Sequence, residues 1–314
     1  MPENSSTRTA KLIAWISVAT FALAGCAELP APAPITEVDY RGCVLSQSDS
    51  LDPTLTEVAE YSMNQAAVTY GIQRTDLAVK ATKLTTGVKK LVQGGCKLVV
   101  VSGADFGAGM VDVATKYPDV NFVYFAEKAE AKIASANLDN LVAYGVDLFE
   151  VGIISGFLSA DLSTNHYISL ACTSGIGETI LSGARFGVEK FEVPTQFDSS
   201  LADVQIVAGC KDELVATDAV HTYVGYGLDN FHVSRYDAIK DKFATTVVPL
   251  LGSKLMDVVA ADLESDFIGG SLGSVTATYG NGMLALSPEH NVPLSSATLT
   301  KLQTVIADYE ATLK

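Results

Sequence analysis

From residue 42 onward, short apolar runs alternate with longer stretches in which apolar positions recur every three or four residues. Cys43–Ser46 reads as a first strand and Thr54–Tyr70 as a helix opened near Asp52 and Pro53. Asp76–Ala81 reads as a strand, and Thr85–Gln93 as a helix stopped by Gly94 and Gly95. Cys96–Ser102 carries the unbroken apolar, mostly β-branched run Leu98–Val101, the pattern of a strand buried on both faces. Gly107–Lys116 follows as a helix, then Val120–Phe125 and Leu141–Val146 as strands. The rhythm continues with a helix at Leu148–Ala160 that has small residues on one face, a strand at Tyr167–Ala171 and a helix at Thr179–Lys190. Strands at Asp203–Ala208 and Tyr223–Tyr226, a helix at Lys254–Leu263, a short strand at Gly282–Leu286 and a closing helix at Ser296–Leu313 complete the pattern.

Strand–helix–strand alternation at this spacing implies right-handed βαβ units and parallel sheets. Two such series without a long linker predict an α/β fold of two Rossmann-like lobes around a hinged cleft. The expected boundaries are 41–146 for the N-terminal lobe and 147–230 for the C-terminal lobe, each completed by part of 231–314. Ligands of open parallel sheets bind beyond the carboxyl ends of the strands, so facing lobes would put the site between them.

The N-terminus has a different pattern. Arg8 and Lys11 precede the uncharged run Leu12–Ala24, which is about as long as a signal-peptide core and short for a membrane span. The run ends in Leu23-Ala24-Gly25-Cys26, small residues before a thiol that can accept lipid. Residues 1–25 are therefore read as a lipoprotein signal peptide, and 26–40 as a lipid anchor on Cys26 followed by a Pro/Ala tether. This places the protein on the extracytoplasmic side of the cell membrane.

Composition narrows the function. With 48% hydrophobic and 18% charged residues, the chain can build a sizeable core. A net charge of −15 excludes the basic footprint that nucleic acid needs, and leaves membrane contact to the anchor. His166, His221, His232 and His290 are scattered, no metal-ligand spacing occurs, and no nucleophile elbow, phosphate loop or H-E-x-x-H motif is present. The expectation is a protein that is not an enzyme and uses no metal or cofactor. Four cysteines remain after Cys26. Cys43 and Cys96 begin strands that are neighbours in a 2-1-3 sheet order, and Cys172 and Cys210 end strands expected to be neighbours, so Cys43–Cys96 and Cys172–Cys210 are the expected disulfides.

Four passages together resemble the basic membrane protein family of lipoproteins, purine nucleoside-binding relatives of the type I periplasmic binding proteins that serve ABC importers. They are Gly103–Phe106 with Val111–Phe122, Phe149–Gly156, Leu181–Gly187, and Gly225–Asn230. The resemblance spans about residues 42–312 and implies a type I periplasmic binding protein-like fold. It also implies a nucleoside-like or sugar-like small polar ligand and an ABC permease as partner. By its pattern, Asp52 matches one acid of the family's first loop, Gln47 replaces another, and Leu55 replaces an aromatic that stacks on the base. Gly227 replaces an acid and Pro249 a lysine, while Phe197 matches a second stacking position. Read from their own places, Asp49 and Asp52 would accept hydrogen bonds from hydroxyls or base N–H groups, though Asp52 would equally serve as a helix cap. Asp105 and Phe106 follow the third strand, Phe106 as a stacking ring or a packed loop aromatic. Gly175 sits in a turn whose N–H groups would hold a ligand or simply make the turn, and Asp229 and Asn230 end a strand near the hinge. Two readings follow: a solute receptor for an importer, or a ligand-sensing or structural surface lipoprotein that transports nothing.

The anchor generates the first prediction. Cys26→Ser should abolish incorporation of labelled fatty acid and release the protein from the membrane fraction. Wild-type protein that stays on the membrane with no acyl group on Cys26 would refute the lipobox.

Overall fold

The computed structural model describes residues 38–50, 53–126, 133, 136–171, 176–208, 220–227, 239–287 and 293–313. The signal peptide, Cys26, Cys172 and Cys210 lie outside the described residues. The first series is β1 (Arg41–Gln47), α1 (Thr54–Tyr70), β2 (Gln73–Val79), α2 (Leu84–Gln93), β3 (Leu98–Ser102), α3 (Gly107–Lys116), β4 (Asn121–Phe125) and β5 (Leu141–Val146). The second is α4 (Leu148–Leu162), β6 (Tyr167–Leu170), α5 (Ile176–Glu189), β7 (Gln196–Phe197), β8 (Val204–Ala208), β9 (Thr222–Tyr226) and β10 (Phe243–Pro249). Then come α6 (Leu251–Leu263), the single turn α7 (Gly270–Gly273), β11 (Val275–Ala277), β12 (Leu284–Leu286) and α8 (Ser296–Thr312).

These strands form two six-stranded sheets, β11-β5-β4-β3-β1-β2 and β12-β10-β9-β8-β6-β7. Every pairing is parallel except β12 with β10. The molecule is thus two parallel-sheet α/β lobes. Residues 275–277 return to the first sheet and α6 packs on α1, whereas β10, β12 and α8 belong to the second lobe. Three crossings join the lobes: Val146 to Leu148, Pro249 to Leu251, and Ala277 to Leu284.

The elements follow from their patterns. β3 is buried at all five residues because neighbours flank it on both edges and helices cover both faces. α4 buries 12 of its 15 residues, so it is apolar around its circumference rather than amphipathic. It lies between the second sheet and α5. The contact with α5 is backbone on backbone: a β-carbon on Gly152 would sit 2.2 Å from the Ile180 carbonyl oxygen, and one on Gly156 2.2 Å from that of Ala184. From the other side, one on Gly183 would sit 2.0 Å from the Phe149 oxygen and one on Gly187 2.3 Å from that of Ile153. The small face anticipated on α4 is therefore the seat of a second helix.

Some elements were not anticipated. β10 is a continuous buried strand in a stretch left without an element, and the three-residue β11 is too short to carry an alternating signal. α6 begins three residues earlier than the expected helix at Lys254. Between α5 and β8 there is only the two-residue β7.

Cys43 and Cys96 are disulfide-bonded, with Cα atoms 5.9 Å apart. The bond ties β1 to the segment entering β3 and closes a loop of 53 residues, worth about 4 kcal/mol by chain entropy.

The helix contact yields the second prediction. Gly183→Ala should cost about 3 kcal/mol, because the new methyl meets a carbonyl that cannot yield without separating the helices. The exposed neighbour Ser182→Ala should stay within about 0.5 kcal/mol. Urea midpoints at constant slope measure both.

Candidate functional site

The three crossings set the orientation of the lobes. The first leaves the carboxyl end of β5, the second the carboxyl end of β10, and the third the carboxyl end of β11. The third enters β12, whose first residue Leu284 pairs with Pro249, so it arrives at the same edge that the second leaves. The crossings are neighbours: Asp147 N donates to Ala277 O at 3.0 Å, and Leu250 N to Met283 O at 2.8 Å. Both sheets thus turn their carboxyl edges toward one hinge.

At the first lobe's edge, β1 ends in Gln47, which is almost wholly buried and bonded to Asp105 in both directions. Gln47 Nε2 donates to Asp105 Oδ2 at 2.8 Å, and the Asp105 backbone N donates to Gln47 Oε1 at 3.2 Å. The pair needs a glycine next to it. Gly103 has φ +145°, and a β-carbon there would lie 2.5 Å from Gln47 Cβ. One layer in, the hydroxyls of Thr56 and Ser102 are 2.9 Å apart. Asp49 is exposed and its Oδ1 accepts from Ala81 N at 3.1 Å, which ties the β1 loop to the turn after β2.

From the second lobe, β9 ends in the buried Tyr226 and then Gly227. Gly227 has φ +119°, and a β-carbon there would lie 2.4 Å from the Thr54 methyl at the start of α1. The two carboxyl edges therefore meet at this point.

Three expected ligand contacts need correction. Phe106 is fully buried in the core around α2 and α3, because the helical turn Ala104–Phe106 rotates its ring inward, so it offers no face for stacking. Leu55 packs into the core with Val58 and Ala59 on the inner face of α1. Phe197 pairs with Ile168, which in turn pairs with Val204, the first residue of β8. That level is about 13 Å from the carboxyl edge at Ala208 by strand rise. The Phe197 ring instead lies 5.6 Å from the Arg185 guanidinium. Asp52, Gly175, Asp229 and Asn230 lie outside the described residues. The structure joins Asp105 to Gln47, a residue the sequence offered only as a replaced acid. A polar residue ending a buried strand was the available signal.

Recesses lie elsewhere, and among the described residues the two larger are these. One of about 390 Å³ is on the α6 flank of the first lobe, lined by Tyr144, Val258, Phe267 and Leu272 among others. One of about 260 Å³ lies between α1 and the second crossing. Neither is lined by the Gln47–Asp105 pair. Among the described residues no group of side chains suits a metal ion, and no helix is long and apolar enough to cross a membrane.

No family model matches the chain, and neither does any curated protein. Solved structures do resemble it. An ABC transporter solute-binding protein from Conexibacter woesei matches with TM-score 0.66 and 13% identity over 88% of this chain and 97% of its own. A transcriptional activator of the comK gene from Bacillus halodurans matches with TM-score 0.58 and 17% identity over 88% and 99%. The binding component of an arabinose ABC transporter from Shewanella sp. ANA-3, bound to L-arabinofuranose, matches with TM-score 0.54 and 15% identity over 86% and 97%. The chain shares the two-lobed fold of these structures.

The third prediction concerns the meeting of the edges. Gly227→Val should strain the positive φ and push the edges apart at Thr54. Small-angle scattering should report a larger radius of gyration than wild type. An unchanged radius in a folded variant would mean that this contact does not limit closure.

Proposed function

We propose that this chain is an extracytoplasmic solute-binding lipoprotein that closes two lobes on a small hydroxyl-bearing ligand and delivers it to an ABC importer. One observation carries the reading: two parallel-sheet lobes turn their carboxyl edges to a three-strand hinge, and the Gln47–Asp105 pair stands at one edge. Asp105 is exposed on that edge and held by Gln47, so its carboxylate is oriented before a ligand arrives. With a net charge of −15, the protein favours neutral or cationic donors over anions. Phe106, Leu55 and Phe197 do not offer a stacking plane at the edge, which shifts the preference from a nucleoside toward a sugar-like compound. The arabinofuranose held by the Shewanella protein, which has a similar fold, supports that order. No motif for bond-making chemistry accompanies the site, in keeping with a binder.

A sensing role is the second reading. It is favoured by the likeness to the Bacillus halodurans activator. Loss of the gene should abolish uptake of the identified ligand if the protein serves an importer. Unchanged uptake with altered transcription would favour the sensor.

The fourth prediction names the ligand class. Mass spectrometry of denatured protein should release a co-purified polyol or nucleoside, and calorimetry against pentoses, hexoses and nucleosides should identify it. Asp105→Asn should weaken that binding about 10- to 100-fold, the worth of a hydrogen bond to a charged group. Tight binding of a peptide or a metal, with none of these compounds bound, would overturn the assignment.

A further inference from the structure

The hinge contains a set of acids that solute binding does not explain. Asp147 occupies the first crossing and caps α4, its Oδ1 accepting from Glu150 N at 3.0 Å. Its Oδ2 accepts from the Tyr309 hydroxyl at 3.3 Å. Glu150, one turn into α4, is fully buried, and its Oε1 accepts from the backbone N of Tyr279 in the third crossing at 2.8 Å. Its Oε2 is buried with no hydrogen-bond partner. Glu310 on α8 accepts from Gly280 N, the next residue of that crossing, at 2.9 Å.

Two carboxyl groups, those of Glu150 and Glu310, therefore grip two adjacent amides of one crossing, and Asp147 stands beside them, bonded to the Glu150 amide and the Tyr309 hydroxyl. Among the described residues, the groups facing Glu150 from its surroundings carry no positive charge. They are Asp147 from the first crossing, Tyr309 and Glu310 from α8, and Tyr279 through its amide. The strands beneath α4 present apolar side chains and the Tyr226 phenol. On α5, Glu178 and Glu189 are exposed, while Arg185 and Lys190 lie over the rings of Phe197 and Phe186. Lys301 on α8 pairs with Glu192.

We propose that Asp147, Glu150 and Glu310 form a proton-operated latch on the hinge. With Glu150 neutral, the third crossing is held compact against the first, and the lobes keep the arrangement seen here. When Glu150 releases its proton to solvent, a buried anion with an unpartnered oxygen faces two more carboxylates, and the crossing loosens so that water can reach it.

The electrostatics agree in sign. Burial first, and then the charges of Glu310 and Asp147, push the Glu150 carboxyl up to about 7, against the pull of the Tyr279 amide. A carboxyl raised in the compact state and ordinary in the loosened one favours the compact state at low pH. That preference fades as pH climbs from the usual carboxylate value, near 4.5, to about 7. The direction is opposite to that of a salt-bridged acid.

The latch rests on the two-lobe hinge and not on any ligand, so it is tested in ligand-free protein, where failure of the solute-binding reading has no effect. Hydrogen exchange at Tyr279–Leu284, corrected for intrinsic rates, is compared at about pH 5.5 and about pH 8.5, and linkage predicts roughly 30-fold more opening at the higher value. Glu150→Gln, which keeps the acceptor for Tyr279 N, should reduce the pH effect to less than about threefold. Glu310→Gln removes one repelling charge and should move the midpoint to lower pH, which tests the latch even if Glu150→Gln does not fold. Small-angle scattering on the same samples reads the lobes directly, with a larger radius expected at high pH in wild type and not in Glu150→Gln. A pH effect that survives undiminished in Glu150→Gln, a midpoint unmoved in Glu310→Gln, or no pH effect in wild type would overturn the proposal.

Discussion

The second lobe and the hinge both depend on the close approach of α4 and α5 through Gly152, Gly156, Gly183 and Gly187. Without β-carbons at these four positions, carbonyl oxygens of each helix rest on the α-carbons of the other. Helices packed through larger side chains stay about 8–10 Å apart; here the four glycines remove that spacer. The close packing brings Phe186 of α5 to 6.0 Å from Phe149 of α4, and Tyr309 of α8 to 5.3 Å from Phe149. Tyr309 in turn bonds Asp147, the cap of α4 and the residue on the first crossing. A contact made only of backbone thus sets where the hinge begins.

The first lobe is stabilised by different means. Its sheet is ordered around β3 and β1, both wholly or nearly buried, and the Cys43–Cys96 bond fastens β1 to the entry of β3. The disulfide sits toward the amino half of the strands, so it stiffens the lobe without occupying the carboxyl edge. That edge is left to polar groups. Gln47 and Asp105 satisfy each other, and Thr56 meets Ser102. A rigid floor under an oriented carboxylate lowers the cost of ordering the site when a ligand binds.

The two lobes differ in what faces the hinge. The first lobe presents hydrogen-bonded polar pairs, whereas the second presents Gly227 against Thr54 and, on α4 beside the crossings, the buried acid Glu150. An acid inside an apolar helix is costly unless it is neutral or well bonded. Its retention beside a crossing strand, where opening would let water in, links protonation to motion through ordinary desolvation.

Periodicity and composition alone determined the α/β class, the two-lobe rhythm and most helices; α1, α3 and β5 run over the residues their patterns marked. Those signals are local, set by residues two to four apart. The order 2-1-3 that puts Cys43 beside Cys96 was legible too, because doubly wound sheets have few topologies. Tertiary structure alone decided where β10 and β11 belong, since a buried apolar run and a three-residue strand carry no address for their sheet. It also decided the site. Phe106, Leu55 and Phe197 looked available as loop or helix-start residues, but their exposure depends on which way a turn rotates and at which level a strand pairs. The bonds Gln47–Asp105, Glu150–Tyr279 and Asp147–Tyr309 join residues 58, 129 and 162 positions apart, and no local pattern specifies such a meeting.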